Sequence, residues 1–147
     1  MPGGQSHRPL ELLIIEDNPG DIRLLEEAFE ELRANVHIHT AKDGAEGLEM
    51  VLHPKHPKKN WRPDLILLDL NLPKVSGHDV LTRIKGNPHT CCIPIIVLTS
   101  SRAESDIRRA YESHANAYLK KPSTLDGLMS TALDIKSFWL ETVTLPE

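Results

Sequence analysis

A chain of 147 residues, 39% hydrophobic and 26% charged, is the size of one domain able to build its own core. Seventeen basic against 21 acidic side chains leave a formal net charge of −4, which argues against a nucleic-acid backbone as partner. No apolar run reaches the ~20 residues of a membrane span, and the start MPGGQSHRPL lacks a signal-peptide core.

Residues 1–9 are expected to be a flexible N-terminus. LELLIIED (Leu10 to Asp17) is a short apolar run that predicts a first strand. Asn18 and Pro19 then read as an N-cap and a first helical position. Ile22, Leu25, Phe29 and Leu32 follow at helical spacing. Val36 and Ile38 alternate with His37 and His39, which predicts a second, more exposed strand. Asp43 caps a helix whose inner face is Ala45, Leu48, Val51 and Leu52. HPKHPKKNWRP (His53 to Pro63) holds three prolines without periodicity and reads as a loop. Its Lys55, Lys58, Lys59 and Arg62 read as a solvated face with a modest docking role open.

Asp64 to Asp69 predicts the third strand, and Ser76 or Gly77 opens a helix carrying Val80, Leu81 and Ile84. IPIIVLTS (Ile93 to Ser100) is a fourth strand, followed by a polar helix with Ile107, Ala110 and Tyr111. AYLKKP (Ala117 to Pro122) is a short fifth strand. Leu125, Leu128, Ala132, Ile135 and Trp139 recur at steps of three and four, the stripe of a long last helix.

Strands alternating with helices imply an α/β fold, a doubly wound, five-stranded parallel sheet with five helices on its two faces. Burial on both sides explains the unbroken aliphatics of the first, third and fourth strands. The expected strand order is the flavodoxin-like 2-1-3-4-5, a choice that goes beyond the alternation itself. The adjacent Cys91 and Cys92 staple nothing if bridged, which fits a reducing, cytoplasmic setting. The pairs His37 with His39 and His53 with His56 lack, in sequence, the cysteine or acidic partners of a zinc site.

The third strand poses the functional question. LILLD ends an aliphatic run on Asp69, and an unpaired buried carboxylate costs several kcal/mol or shifts its pKa. Asp69 either caps the next loop or is delivered to a site that uses its charge. Ligands of open parallel sheets bind outside the carboxyl ends of the strands. The residues ending these strands are Glu16 and Asp17, Asp69, Thr99 and Lys121. Clustered carboxylates need a proton or a cation, and a hard divalent ion with oxygen ligands suits them. A hydroxyl and an ammonium opposite suit a phosphoryl group, and a carboxylate can be the nucleophile that forms an acyl phosphate.

IIEDNPGD, LILLDLNLPKVSG, IIVLTSS and AYLKKP, in this order, closely resemble the receiver domain of two-component response regulators, over nearly the whole chain. The resemblance implies a receiver domain over residues 10–140 with a tail over 141–147. It implies that Asp69 accepts a phosphoryl group from a histidine kinase, so the chain is a signalling phosphoacceptor rather than an enzyme acting on a separate substrate. Magnesium would be held by Asp17 and Asp69, by the backbone carbonyl of Asn71, and through a water or by orientation from Glu16. Thr99 and Lys121 would contact phosphoryl oxygens, with Lys121–Pro122 cis, and Tyr118 would turn inward as Thr99 moves to the phosphate. Asn71 and Ser101, two residues beyond Asp69 and Thr99, would tune water access during dephosphorylation.

No room for an output domain follows Trp139, so a stand-alone receiver is expected. FWLETVTLP, DNPGD and the long loop before the third strand resemble the single-domain regulators associated with phytochrome-type kinases. Phe138, Trp139, Val143 and Leu145 do not all fit the stripe of the last helix, which suggests a homodimer through this tail, helped by the fourth helix. For Trp139, burial in the chain's own core stays an equal alternative. Two other classes stay open. A haloacid-dehalogenase-type magnesium phosphatase needs a second aspartate where this chain has Asn71, and a non-phosphorylated pseudo-receiver normally lacks part of the acidic set present here.

Overall fold

The central strands of the sheet are short aliphatic runs cut off by a polar residue. The first, second, third and fifth helices each begin at a side chain that caps them, whereas the fourth begins at Ala103 without one. The computed structural model describes residues 8–55 and 61–146. The elements are β1 (Leu10–Ile15), α1 (Pro19–Glu31), β2 (Val36–Ala41), α2 (Gly44–Leu52), β3 (Leu65–Leu68), α3 (Gly77–Lys85), β4 (Ile95–Thr99), α4 (Glu104–Glu112), β5 (Ala117–Lys120) and α5 (Leu125–Ile135). A π-helical extension, Lys136–Thr142, continues α5. The strands are all parallel, in the order β2-β1-β3-β4-β5, as expected.

The caps of α1, α2 and α3 are those the sequence announces, and Thr124 adds one for α5. Asn18 Oδ1 accepts the backbone N–H groups of Gly20 and Asp21, Asp43 accepts from Glu46, Ser76 from Asp79, and Thr124 from Gly127. Each satisfies donors that the first helical turn leaves unpaired.

The period of two along the strands divides the core into two layers. Leu13, Ile15, Ile66, Leu68, Ile95 and Val97 pack with Leu48 and Val51 of α2 and with Val80, Leu81 and Ile84 of α3. The alternate residues Leu12, Ile14, Leu65, Leu67, Ile96 and Leu98 pack with Leu25 and Phe29 of α1 and Leu128 and Ile135 of α5. Both faces of β1, β3 and β4 are therefore covered, and the polar residues of these strands gather at their carboxyl ends.

Four details depart from the sequence reading. Ala45 is exposed, and Gly44 and Gly47 take the inner face of α2 instead; a Cβ on Gly47 would lie 2.7 Å from Ile15. Leu125, placed on the inner stripe of α5, is 60% exposed. Among the described residues no peptide bond is cis, so Lys121–Pro122 is trans, the lower-energy isomer of an X–Pro bond. Glu11 supplies the acidic partner that the histidine pair lacked in sequence, its Oε2 lying 3.1 Å from His39 Nε2 and 3.5 Å from His37 Nδ1. Burial raises the Glu11 carboxyl, but hydrogen bonds from His39 and Trp61 and the charges of His39 and His37 together outweigh it and hold the group below its ordinary value. Residues 1–7 of the expected N-terminus, His56, Lys58, Lys59 and Glu147 lie outside the described residues.

Gly77 fixes how α3 meets the end of β3. A Cβ there would stand 2.3 Å from the carbonyl oxygen of Asp69 and 2.4 Å from Cα of Leu70, both backbone atoms that cannot step aside. Gly77→Ala should therefore displace the segment carrying Asp69 and cost about 3 kcal/mol, the upper end of overpacking penalties. Urea unfolding of both proteins checks this, and an unchanged midpoint would mean that α3 shifts freely away from β3.

Candidate functional site

The ends of β1, β3 and β4 are brought level by the register of the sheet. Ile15 pairs with Leu68 and Leu68 with Val97, so Glu16 and Asp69, one residue beyond, and Thr99, two residues beyond Val97, gather at one edge. The backbone N–H of Asp69 donates to Ile15 O at 3.0 Å, and that of Lys121 donates to Thr99 O at 2.7 Å, which extends the parallel pairing into the site.

Asp69 is buried, and both its oxygens are used. Oδ1 accepts from Thr99 Oγ1 at 2.7 Å and from the backbone N–H of Asn71 at 3.1 Å. Oδ2 accepts from Lys121 Nζ at 3.2 Å. The Lys121 ammonium also donates to Asp21 Oδ2 at 2.8 Å and to Glu16 Oε1. Glu16 is 3% exposed, and its second oxygen accepts from the backbone N–H of Asn18 at 3.1 Å. One ammonium thus serves three carboxylates. Asp17, exposed at the rim, adds a fourth: oxygens of Glu16, Asp17 and Asp69 lie within 4.8 Å of one another.

The electrostatics follow from this imbalance. Burial pushes the Glu16 carboxyl up to about 7; the Lys121 hydrogen bond opposes the rise and the charge of Asp69 adds to it. Burial works to lower the Lys121 ammonium, yet hydrogen bonds to Asp21 and Glu16 and the charge of Asp69 carry it above the ordinary lysine range. Four carboxylates against one ammonium leave negative charge in excess. The donor set is anionic oxygen throughout and fits a hard divalent cation held by Glu16, Asp17 and Asp69.

Every residue placed at this edge by the sequence is there: Glu16, Asp17, Asp69, Asn71, Thr99 and Lys121. Tyr118 is half-buried beside it and donates its hydroxyl to the backbone carbonyl of Ser101 at 2.9 Å. The tail residues do not act as one surface. Trp139 packs on the α1–α5 side of the core and edge-on to Phe138 at 5.6 Å, so its side chain is largely used within the chain. Phe138 remains 53% exposed, while Val143 and Leu145 are half-buried. Trp139 thus keeps its place on the stripe of α5, and the pitch changes in the extension, where the backbone N–H of Val143 donates to Phe138 O, five residues back.

Two functional contacts escaped the sequence reading. Asp21 is a closer partner of Lys121 than Asp69 is, and its one signal was its place in the first turn of α1, four residues after Asp17. His78, buried on α3, contacts Asp106 of α4, a pairing with no signal in sequence because it depends on how two helices cross.

Five parallel strands in this order, with an acidic cluster, a hydroxyl and a lysine at their carboxyl ends, define a signalling receiver, and the chain belongs to that family: the model of the response regulator receiver domain matches residues 12–133. As a receiver domain it is a phosphoryl-accepting component of two-component signalling. Over 142 residues it is 41% identical to response regulator Rcp1 of Synechocystis sp., a match that covers 97% of each chain. The fold superposes with a TM-score of 0.88 on the crystal structure of the phosphorylated cyanobacterial phytochrome response regulator RcpA, 40% identical, over 95% of this chain and 99% of that one. The Mn(2+)-bound form of Rcp1, 41% identical, gives the same TM-score over 95% of this chain and all of the other.

Proposed function

We propose that this receiver, spanning residues 10–140, takes its phosphoryl group on Asp69 from a phytochrome-type histidine kinase, with magnesium as its cation. The observation that carries this reading is the environment of Asp69: a buried carboxylate at a strand end, bracketed by the Thr99 hydroxyl on one oxygen and the Lys121 ammonium on the other. Thr99 and Lys121 are hydrogen-bond donors aimed at the place where phosphoryl oxygens would arrive. Likeness to Rcp1 and to the phytochrome response regulator RcpA supports the choice of kinase.

In the reaction an Asp69 carboxylate oxygen attacks phosphorus in line. The P–O bond forms as the P–N bond of the phosphohistidine breaks, and its electron pair returns to the imidazole nitrogen. Thr99 passes its hydroxyl hydrogen bond from Asp69 Oδ1 to a phosphoryl oxygen. Lys121 exchanges part of its contact with Glu16 and Asp21 for a second phosphoryl oxygen. Glu16, Asp17, Asp69 and the Asn71 carbonyl would hold the magnesium ion, which supplies neutralisation of charge on the transferred group. Hydrolysis of the acyl phosphate by in-line water closes the cycle, with Asn71 and Ser101 flanking the water's approach. Thr99 and Tyr118 carry the change to the α4–α5 face. The test is transfer from purified, autophosphorylated phytochrome-type kinases. Label should pass to this protein faster from such a kinase than from an unrelated one, and equal rates would remove the phytochrome assignment.

The tail gives the second part of the proposal, a homodimer through α4, α5 and the extension. Among the described residues the large exposed hydrophobic side chains are Tyr111, Leu125, Leu133 and Phe138, all on these elements. Apolar surface gathered in one region marks association sites, and symmetric dimers are the commonest assemblies. Phe138→Glu with Val143→Glu should turn a dimer into a monomer in light scattering at several concentrations. A native protein that stays monomeric at high micromolar concentration, phosphorylated or not, contradicts the dimer.

A further inference from the structure

The proposed mechanism leaves one buried titratable side chain unused. His78 is the second residue of α3 and only 6% exposed. Its Nδ1 has no hydrogen-bond partner among the described residues, so the contact at Nε2, 2.9 Å from Asp106 Oδ1, is its one polar tie. A carboxylate only accepts, so Nε2 carries the hydrogen and donates it. The other oxygen of Asp106 accepts from Ser101 Oγ at 2.6 Å. Ser101 lies two residues beyond Thr99, and its backbone carbonyl receives the Tyr118 hydroxyl at 2.9 Å. Hydrogen bonds first from Ser101 and then from His78 hold the Asp106 carboxyl below its ordinary range, so it stays an acceptor for both.

A continuous path therefore joins the helix that begins against Asp69 to the aromatic residue on β5. It runs from His78 to Asp106, to Ser101, to Tyr118, and each link uses a different element. Asp106 is the joint, with one oxygen taken by α3 and the other by the loop between β4 and α4. Without His78, Asp106 would hold that loop to α4 alone, and the carbonyl that receives Tyr118 would lose its tie to α3.

We propose that His78 is a positioning residue of the switch: through Asp106 it fixes the Ser101 loop and so sets, before any phosphoryl group arrives, the fraction of molecules with Tyr118 inward, the state in which its hydroxyl rests on the Ser101 carbonyl. This rests on the switch roles given above to Thr99 and Tyr118. Its effect is a population shift, because a lost contact that favours one of two conformations changes their ratio and nothing else.

The chain has two tyrosines, so full-length protein carrying 3-fluorotyrosine shows two ¹⁹F resonances, assigned with Tyr111→Phe. His78→Leu should move the Tyr118 resonance toward the outward state. The inward-to-outward ratio should fall roughly three- to tenfold, the effect of a charge-assisted hydrogen bond to a carboxylate that is one-third exposed. His78→Gln keeps a donor near the place of Nε2 and should restore most of the ratio. In an Asp106→Ala background, His78→Leu should add nothing, because the path is already cut. The uptake rate from a small phosphodonor should follow the same order across the variants. A Tyr118 resonance that is unchanged in His78→Leu, or an equal shift with Asp106 already removed, overturns the proposal. A native protein that takes up no phosphoryl group overturns the phosphoacceptor reading instead, and the resonances of the unphosphorylated variants still decide the role of His78.

Discussion

Lys121→Ala should leave the protein folded, lower its stability by about 2 kcal/mol and slow phosphoryl uptake by roughly a hundredfold or more. Among the described residues the ammonium is the single cation that Glu16, Asp21 and Asp69 share, and its side chain is 12% exposed. Breaking a buried pair by removing one partner costs about 3–5 kcal/mol. The loss here is smaller because Asp21 is partly in solvent and Glu16 takes up a proton readily. The chain stays folded because neither layer of the core includes Lys121. Uptake suffers more than folding, since the ammonium is most useful when charge accumulates on the phosphoryl group. Hydrogen exchange in α4 and α5, with and without phosphodonor, gives the third readout. A variant with native uptake, or whose α4–α5 response to phosphorylation is unchanged, would remove Lys121 from the switch.

Asp17→Asn should separate the cation from the fold. Asp17 is exposed and belongs to neither core layer, so its loss costs little in folding. The native protein should melt higher with magnesium, by the equivalent of about 2.7 kcal/mol at 100 times the dissociation constant. In Asp17→Asn that response should need at least about ten times more magnesium, a loss typical even for residues that only support a metal ligand. Phosphoryl uptake should fall in parallel and recover partly at high magnesium. A native melting temperature indifferent to magnesium would mean that Glu16, Asp17 and Asp69 are relieved by Lys121 and protons alone.

Much of this site was legible because a parallel sheet converts sequence order into place. Asp69, Thr99 and Lys121 each end an apolar run, and runs of this kind can lie side by side in only a few ways, so their ends had to meet. The caps Asn18, Asp43 and Ser76 were legible for a similar reason: they act within four residues of themselves. Contacts between elements far apart in sequence were not. Asp21 with Lys121, and His78 with Asp106, depend on how helices lie against the sheet and on each other, which periodicity does not encode. Periodicity also fixes a face without saying how far along the helix it stays covered, as exposed Leu125 shows. Trp139 keeps to the stripe and turns toward the core while Phe138 is left outside, and the constant pitch that periodicity assumes gives way in the π-helical extension. Gly44 and Gly47 were overlooked on α2 because a hydrophobic pattern counts side chains, whereas their contribution is the absence of one.

The most direct test of the central claim is to phosphorylate the native protein with magnesium and a small phosphodonor and to map the modified residue by peptide mass spectrometry after borohydride trapping. Asn keeps the shape of Asp69 but cannot form the acyl phosphate, so Asp69→Asn is the matched control. The account predicts the mass gain of one phosphoryl group on the native chain, trapped at Asp69, and no gain on Asp69→Asn. A gain that persists in Asp69→Asn, or a native protein that stays unmodified with every donor, contradicts it.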